Sequence, residues 1–136
     1  MDLTTSLAIA ASGMRAQSSR MRIISENIAN ASSTAKTPGG DPYRRKIATM
    51  TSEFDRELGA TTVQAGAPMP DQSDFQRRFE PGNPAADKAG YVKTPNINSL
   101  VEIMDMREAQ QSYQADVDMM QASKAMLSQT INLLNK

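Results

Sequence analysis

The chain has 136 residues, 15 basic and 15 acidic, with no Cys, no His and no Trp. That composition excludes thiol nucleophiles, disulfides, imidazole acid–base chemistry and the commonest metal ligands, so no catalytic residue, metal site or cofactor is expected. The charges are balanced along the chain: residues 1–31 carry +3 and −2, residues 32–95 carry +9 and −8, and residues 96–136 carry +3 and −5. A nucleic-acid binder would show a basic face instead. Three Phe and three Tyr stand against ten Met, and flexible Met side chains suit surfaces that repack against more than one partner.

The first residues, Met1 to Leu7, have no cationic segment followed by a continuous apolar one, so no cleavable secretory signal is expected. No run approaches the roughly 18 apolar residues of a membrane span, and no direct membrane insertion is expected. Residues 3–31 form the first organised stretch. Leu3, Leu7, Ala10, Met14, Gln17, Met21, Ile24, Ile28 and Ala31 step in alternating fours and threes, the heptad seam of a coiled-coil-like helix. Gly13 sits inside this helix and costs about 1 kcal/mol relative to Ala. It reads either as a tolerated defect or, with more weight, as a close helix–helix crossing. The helix is expected to end near Asn30–Ser33, because Ser32, Ser33 and Thr34 compete for backbone hydrogen bonds and Pro38-Gly39-Gly40 follows.

The middle, residues 35–95, holds all seven Pro and six of the seven Gly. Short strand-like runs lie at Tyr43–Met50, Thr61–Gln64, Phe75–Phe79 and Tyr91–Lys93, each too short and polar to build a strong core. Pro81 and Gly82 suit the two central positions of a type II turn. The region reads as a small, loop-rich β patch with a partly mobile loop around residues 59–73.

Ser99 and Glu102 form an S-x-x-E capping box at the start of the last stretch. From Ser99 to Lys136 there is neither Gly nor Pro. A helix of about 36 residues would be about 54 Å long, too long to find all its partners within its own domain. Ile103, Met106, Tyr113, Val117, Met120, Leu127, Ile131 and Leu134 fall on one stripe, expected to meet the N-terminal helix. A second stripe, Met104, Ala115, Met119, Ala122, Met126 and Leu133, is expected to face adjacent subunits. Gln110 and Lys124 interrupt the first stripe, either fixing register or lying at its edge.

The expected fold is mainly α. Long N- and C-terminal helices (residues 1–34 and 96–136) pair as an antiparallel coiled-coil-like hairpin around a small loop-rich β region (residues 35–95), the three together forming one domain. The helix pair looks marginal by itself, and its ends are expected to order on assembly. Asp41, Glu53, Asp55 and Glu57 read as solvated surface rather than a hydrolytic site. Arg44-Arg45-Lys46 and Arg77-Arg78 are balanced by nearby acids, and Gly39-Gly40 lacks the Gly-Lys-Ser/Thr of a phosphate loop.

The stretch Ala11-Ser12-Gly13-Met14-Arg15-Ala16-Gln17, followed by Ser25-Glu26-Asn27-Ile28-Ala29-Asn30-Ala31, resembles the signature of bacterial flagellar axial proteins (rod, hook and hook-associated subunits). The short chain resembles the small proximal rod members of that family, as do Gly39-Gly40-Asp41-Pro42-Tyr43-Arg44-Arg45-Lys46 and the run Gly90-Tyr91-Val92, Pro95-Asn96-Ile97-Asn98 leading into Glu102 to Val117. In one departure, Ser32–Lys36 intervene before Thr37-Pro38-Gly39-Gly40, where many axial proteins continue directly. The family motif residues are Ser12, Gly13, Met14, Asn27, Ile28, Ala29 and Asn30. The resemblance implies a subunit of the flagellar basal-body rod, which crosses the periplasm, transmits motor torque and encloses an export channel. It implies terminal helices stacked in the inner layers of a tube and export through the flagellar type III apparatus. It also implies partners among copies of itself, other proximal and distal rod subunits and the rod–export-gate adaptor, with no nucleic-acid or small-molecule partner. A cytosolic helical adaptor or export chaperone is the alternative of a different class.

Overall fold

The computed structural model describes residues 2–134, which form two helices and a small antiparallel-strand region between them, 47% helix and 18% strand. Helix α1 spans Leu3–Ala29 and helix α2 spans Ser99–Leu134, 36 residues without a break. The strand content is larger than a mainly α reading allows for. Strands β1 (Lys46–Ile47), β2 (Met50–Asp55), β3 (Ala60–Ala65), β4 (Met69–Pro70), β5 (Gln76–Phe79) and β6 (Tyr91–Thr94) make three separate two-stranded antiparallel ladders. β1 pairs with β4, β2 with β3 from Met50↔Ala65 to Asp55↔Ala60, and β5 with β6 from Gln76↔Thr94 to Phe79↔Tyr91. Much of the stretch expected as a loop around residues 59–73 is therefore strand. The tight turn between β2 and β3 is possible because Gly59 takes a φ of 62°, a conformation open to glycine.

Two local expectations change. The backbone N–H of Asn83 donates to the carbonyl of Glu80 at 3.0 Å, closing the turn over Pro81-Gly82. Gly82, however, is not among the positive-φ glycines, so the turn is not type II, which needs φ > 0 there. The N-cap of α2 is Asn98 rather than Ser99: its Oδ1 accepts from the N–H groups of Leu100 (3.0 Å) and Val101 (3.5 Å). Glu102, the expected partner in a capping box, instead turns inward. At the end of α1, the Asn30 side chain donates to the Glu26 carbonyl at 2.8 Å and satisfies one of the last-turn acceptors.

The chain divides into two compact units, and each helix contributes to both. One unit gathers Met1–Met21, Thr49–Ala67 and Arg107–Lys136. In it Arg20 pairs with Glu108 at 3.3 Å, and Gly13 lies against Asp116. Residue numbers fall on α2 as they rise on α1, the order of an antiparallel pair. The β2–β3 hairpin covers another side of α1. There the Ser12 hydroxyl donates to the Ile9 carbonyl at 2.7 Å and accepts from the Val63 N–H at 3.2 Å. Between them lies a cavity of 550 Å³ lined by small α1 residues such as Ala8, Ser12 and Ala16 and by Leu58 and Thr62 of the hairpin. The second unit gathers Arg22–Ala48 and Pro68–Met106. Its core includes Ile23, Ile24, Ala85 and Val92, all nearly inaccessible.

Candidate functional site

The most buried large side chain of the second unit is an acid. Glu102 is all but inaccessible, and a buried carboxylate persists only when paired and hydrogen-bonded. Its two oxygens have different partners. Oε1 accepts from Arg45 Nε at 2.5 Å, and Oε2 accepts from Asn27 Nδ2 at 3.0 Å. Asn27, 1% exposed, is used at both ends of its amide. Nδ2 also donates to the Lys46 carbonyl (2.8 Å), while Oδ1 accepts from the Lys46 N–H (3.0 Å) and the Tyr43 hydroxyl (3.1 Å). The Asn27 amide thus copies the donor–acceptor pair of a strand neighbour and fastens α1 to the first residue of β1.

Arg45 extends the junction. Its guanidinium reaches Asp71 at 3.3 Å and Asp105 at 3.6 Å, and its backbone N–H donates to Asn96 Oδ1 at 2.8 Å. Burial disfavours the Arg45 charge, but the Glu102 and Asp71 carboxylates outweigh it and hold the guanidinium above its ordinary value. Backbone and hydroxyl hydrogen bonds from Ser73, then Arg45, hold Asp71 below its usual range. Desolvation pushes the Tyr43 hydroxyl up. Asn96 Nδ2 donates to the carbonyls of Asp71 (3.2 Å) and Ser73 (3.1 Å). Every group here is engaged in holding chain to chain. No group of three or more potential metal ligands occurs among the described residues, and the arrangement is an architectural joint.

Along α2 the burial follows a single heptad line. Glu102, Ala109 and Ser123 are buried and Asp116 is half-buried, each seven residues from the next. Beside them Met106, Tyr113, Met120 and Leu127 are half-buried, as is Val117, while Ile103 and Ile131 are 45% and 49% exposed and Leu134 80%. Gln110 and Lys124 are exposed. The most buried line of α2 thus carries Glu, Ala, Asp and Ser rather than large apolar side chains. At Gly13 an added Cβ would fall 2.5 Å from Asp116 Oδ2, so the Asp116 carboxyl takes the space that a side chain there would need. On α1, Ile24 is buried, and Leu3, Leu7, Met14, Met21 and Ile28 are half-buried. Of the remaining motif residues Ser12 is buried, Ala29 exposed and Asn30 half-buried.

The second stripe of α2 has no cover. Met104 (63%), Met119 (53%), Met126 (49%) and Leu133 (74%) are exposed, as are Ala115 and Ala122. With Gly13 opposite Asp116, α1 begins roughly opposite Met126 at equal rise per residue. The last two turns of α2 therefore extend past the start of α1, which accounts for the exposure of Ile131, Leu133 and Leu134.

Sequence reasoning singled out Asn27 as part of a motif, without its partners. It missed Arg45, Asp71 and Asn96, and took Glu102 for a cap. One usable signal was present: Asn27 stands between Ile24 and Ile28 on an otherwise apolar face, where a polar residue must find a partner.

A family model described as flagella basal body rod protein matches residues 7–35, and one described as flagellar basal body rod FlgEFG protein C-terminal matches residues 88–133. The first stretch contains Asn27 and the second Glu102. Curated relatives named flagellar basal-body rod protein FlgC are similar over nearly the whole length. That of Agrobacterium fabrum is 48% identical over 132 residues, 97% of this chain and 95% of the relative. That of Salmonella typhimurium is 36% identical over 135 residues, 98% of each. That of Bacillus subtilis is 34% identical over 143 residues, 94% of this chain and 95% of the relative.

Proposed function

The chain belongs to the family of flagellar basal-body rod proteins, and from that premise we propose that it is a subunit of the proximal rod, built to assemble rather than to catalyse. The observation that carries this reading is the uncovered apolar stripe of α2, with Met104, Met119, Met126 and Leu133 between 49% and 74% exposed. An apolar line of that length on one side of a helix is a surface for a protein partner. Its Met content suits non-identical neighbours, because Met adapts to irregular contacts.

In this proposal residues 1–34, 35–95 and 96–136 work as one domain, with the terminal helices paired as a coiled-coil-like hairpin. One α2 stripe, Ile103 to Leu134, serves that pairing and its continuation in the assembly. The other, Met104 to Leu133, meets adjacent subunits. The assembled tube transmits torque across the periplasm and surrounds the export channel. Its partners are copies of the chain, the other proximal and distal rod subunits and the rod–export-gate adaptor. The chain leaves the cytoplasm through the flagellar type III apparatus without a cleaved signal. The lack of Cys supports such a route, since no disulfide can lock the chain before passage. Among the described residues no helix is long and apolar enough to cross a membrane.

The test is a charge on the open stripe. A chain carrying Met104→Glu and Met119→Glu should keep its helical circular dichroism and thermal midpoint, since both positions are exposed. It should fail to restore swimming to a strain lacking the gene, and hooks and filaments should be absent. Normal swimming would overturn the assignment of this stripe to the assembly.

A further inference from the structure

Where α1 and α2 meet, two polar groups have no protein hydrogen-bond partner among the described residues, one on each helix. Asp116 presses on Gly13: an added Cβ there would stand 2.5 Å from Oδ2, 2.9 Å from Cγ and 3.0 Å from Oδ1 of its carboxyl. That carboxyl makes no hydrogen bond or ion pair among the described residues, in contrast to Glu102 fourteen residues earlier on the same heptad line. The second group is Gln17. Its Oε1 is buried and has no hydrogen-bond donor among the described residues. Gln17 is one helical turn from Gly13, and residues four apart share a face.

We propose that Asp116 and Gln17 form a proton-dependent latch: the protonated carboxyl of Asp116 donates the hydrogen bond that Gln17 Oε1 lacks, and the deprotonated carboxylate leaves that oxygen without a donor. A carboxylate has only acceptors to offer another acceptor, whereas a carboxylic acid brings one O–H donor. Burial, with no compensating charge, pushes the Asp116 carboxyl above its ordinary value of 3.8.

The charged groups on the elements packed here do not neutralise Asp116. On α1, Arg20 is engaged by Glu108 at 3.3 Å, and Arg15 is exposed beside the cavity under the hairpin. On the hairpin, Asp55 lines that same cavity and would add negative charge. On α2 itself, Asp118 accepts from Gln114 at 2.9 Å, and Lys124 lies two turns further on, exposed.

The sign follows from linkage. A carboxyl whose folded value is raised contributes stability that is complete below the unfolded value of 3.8 and is lost as the pH climbs through the folded value. The seam is thus tightest in mild acid and relaxes toward neutrality.

Carbonyl-detected NMR titration of the full chain reads the Asp116 carboxyl directly. It should titrate above 3.8 in the native protein and move downward in Gln17→Leu, which removes the acceptor. Amide exchange across residues 107–126 supplies a second readout. Asp116→Asn keeps the volume and carries a donor at every pH, so its protection should be several-fold higher than the native chain's at pH 7.5, the two converging below pH 4. An Asp116 carboxyl titrating at or below 3.8, or exchange profiles that run parallel at every pH, would overturn the latch.

Discussion

Replacing Arg45 with Met isolates the energetic centre of the junction. The Glu102 side chain is 1% exposed and its Oε1 meets Arg45 Nε at 2.5 Å. Removing the guanidinium leaves Oε2 its hydrogen bond from Asn27 at 3.0 Å and leaves Oε1 with no cation. Breaking a buried ion pair by deleting one partner costs about 3–5 kcal/mol, because the surviving charge stays desolvated. The Asp71 and Asp105 contacts are longer and more exposed, and contribute about 0–1 kcal/mol each. Urea denaturation of the purified full-length chain should therefore place Arg45→Met about 3–5 kcal/mol below the native protein. The double variant Arg45→Met, Glu102→Leu should recover most of that loss, since the orphaned charge is gone. Asn27 would still lack one acceptor, so recovery should stop short of complete. A loss under about 1 kcal/mol for Arg45→Met would put the pair in the class of solvated surface bridges and refute the assignment of a buried joint.

Two further outcomes follow from the local geometry. Asn98→Ala should destabilise α2 by about 1 kcal/mol, the usual cost of losing an N-cap, whereas Ser99→Ala should change little; equal losses by thermal denaturation would restore Ser99 as the cap. Asp71, held below its ordinary 3.8 by Ser73 and Arg45, contributes stability present above 3.8 and lost as the pH falls through its folded value. In acid titration followed by circular dichroism, the native chain should lose its advantage over Asp71→Asn below pH 3.8, opposite in sign to the behaviour of Asp116.

Both helices could be read from sequence because their signals are local. The expectation of a helix over residues 3–31 meets α1 at Leu3–Ala29, and the start at Ser99 matches α2. Apolar spacing, the absence of Gly and Pro after Ser99, and the breakers around Pro38 all act within a turn or two of the residue concerned. The expected capping residue is off by one position, since Asn98 and Ser99 are both good caps and only the hydrogen bonds that Asn98 Oδ1 accepts in the folded chain separate them.

Tertiary structure alone decided which line of α2 lies deepest. Hydrophobic spacing favours the line through Ile103 and Val117, yet Glu102, Ala109, Asp116 and Ser123 lie deepest or nearest the crossing. The Asp116 carboxyl fills the space where Gly13 offers no Cβ, and no rule of spacing along one helix contains the shape of the other. The Asn27–Arg45–Glu102 junction was hidden for the same reason. Arg45 and Glu102 are 57 residues apart, and a charge of that kind reads as solvated until the fold removes the water around it. The sequence by itself thus determined the two helices and the family signature they carry. The tertiary structure determined which polar residues became the joint, because desolvation and partner geometry are properties of the packed chain.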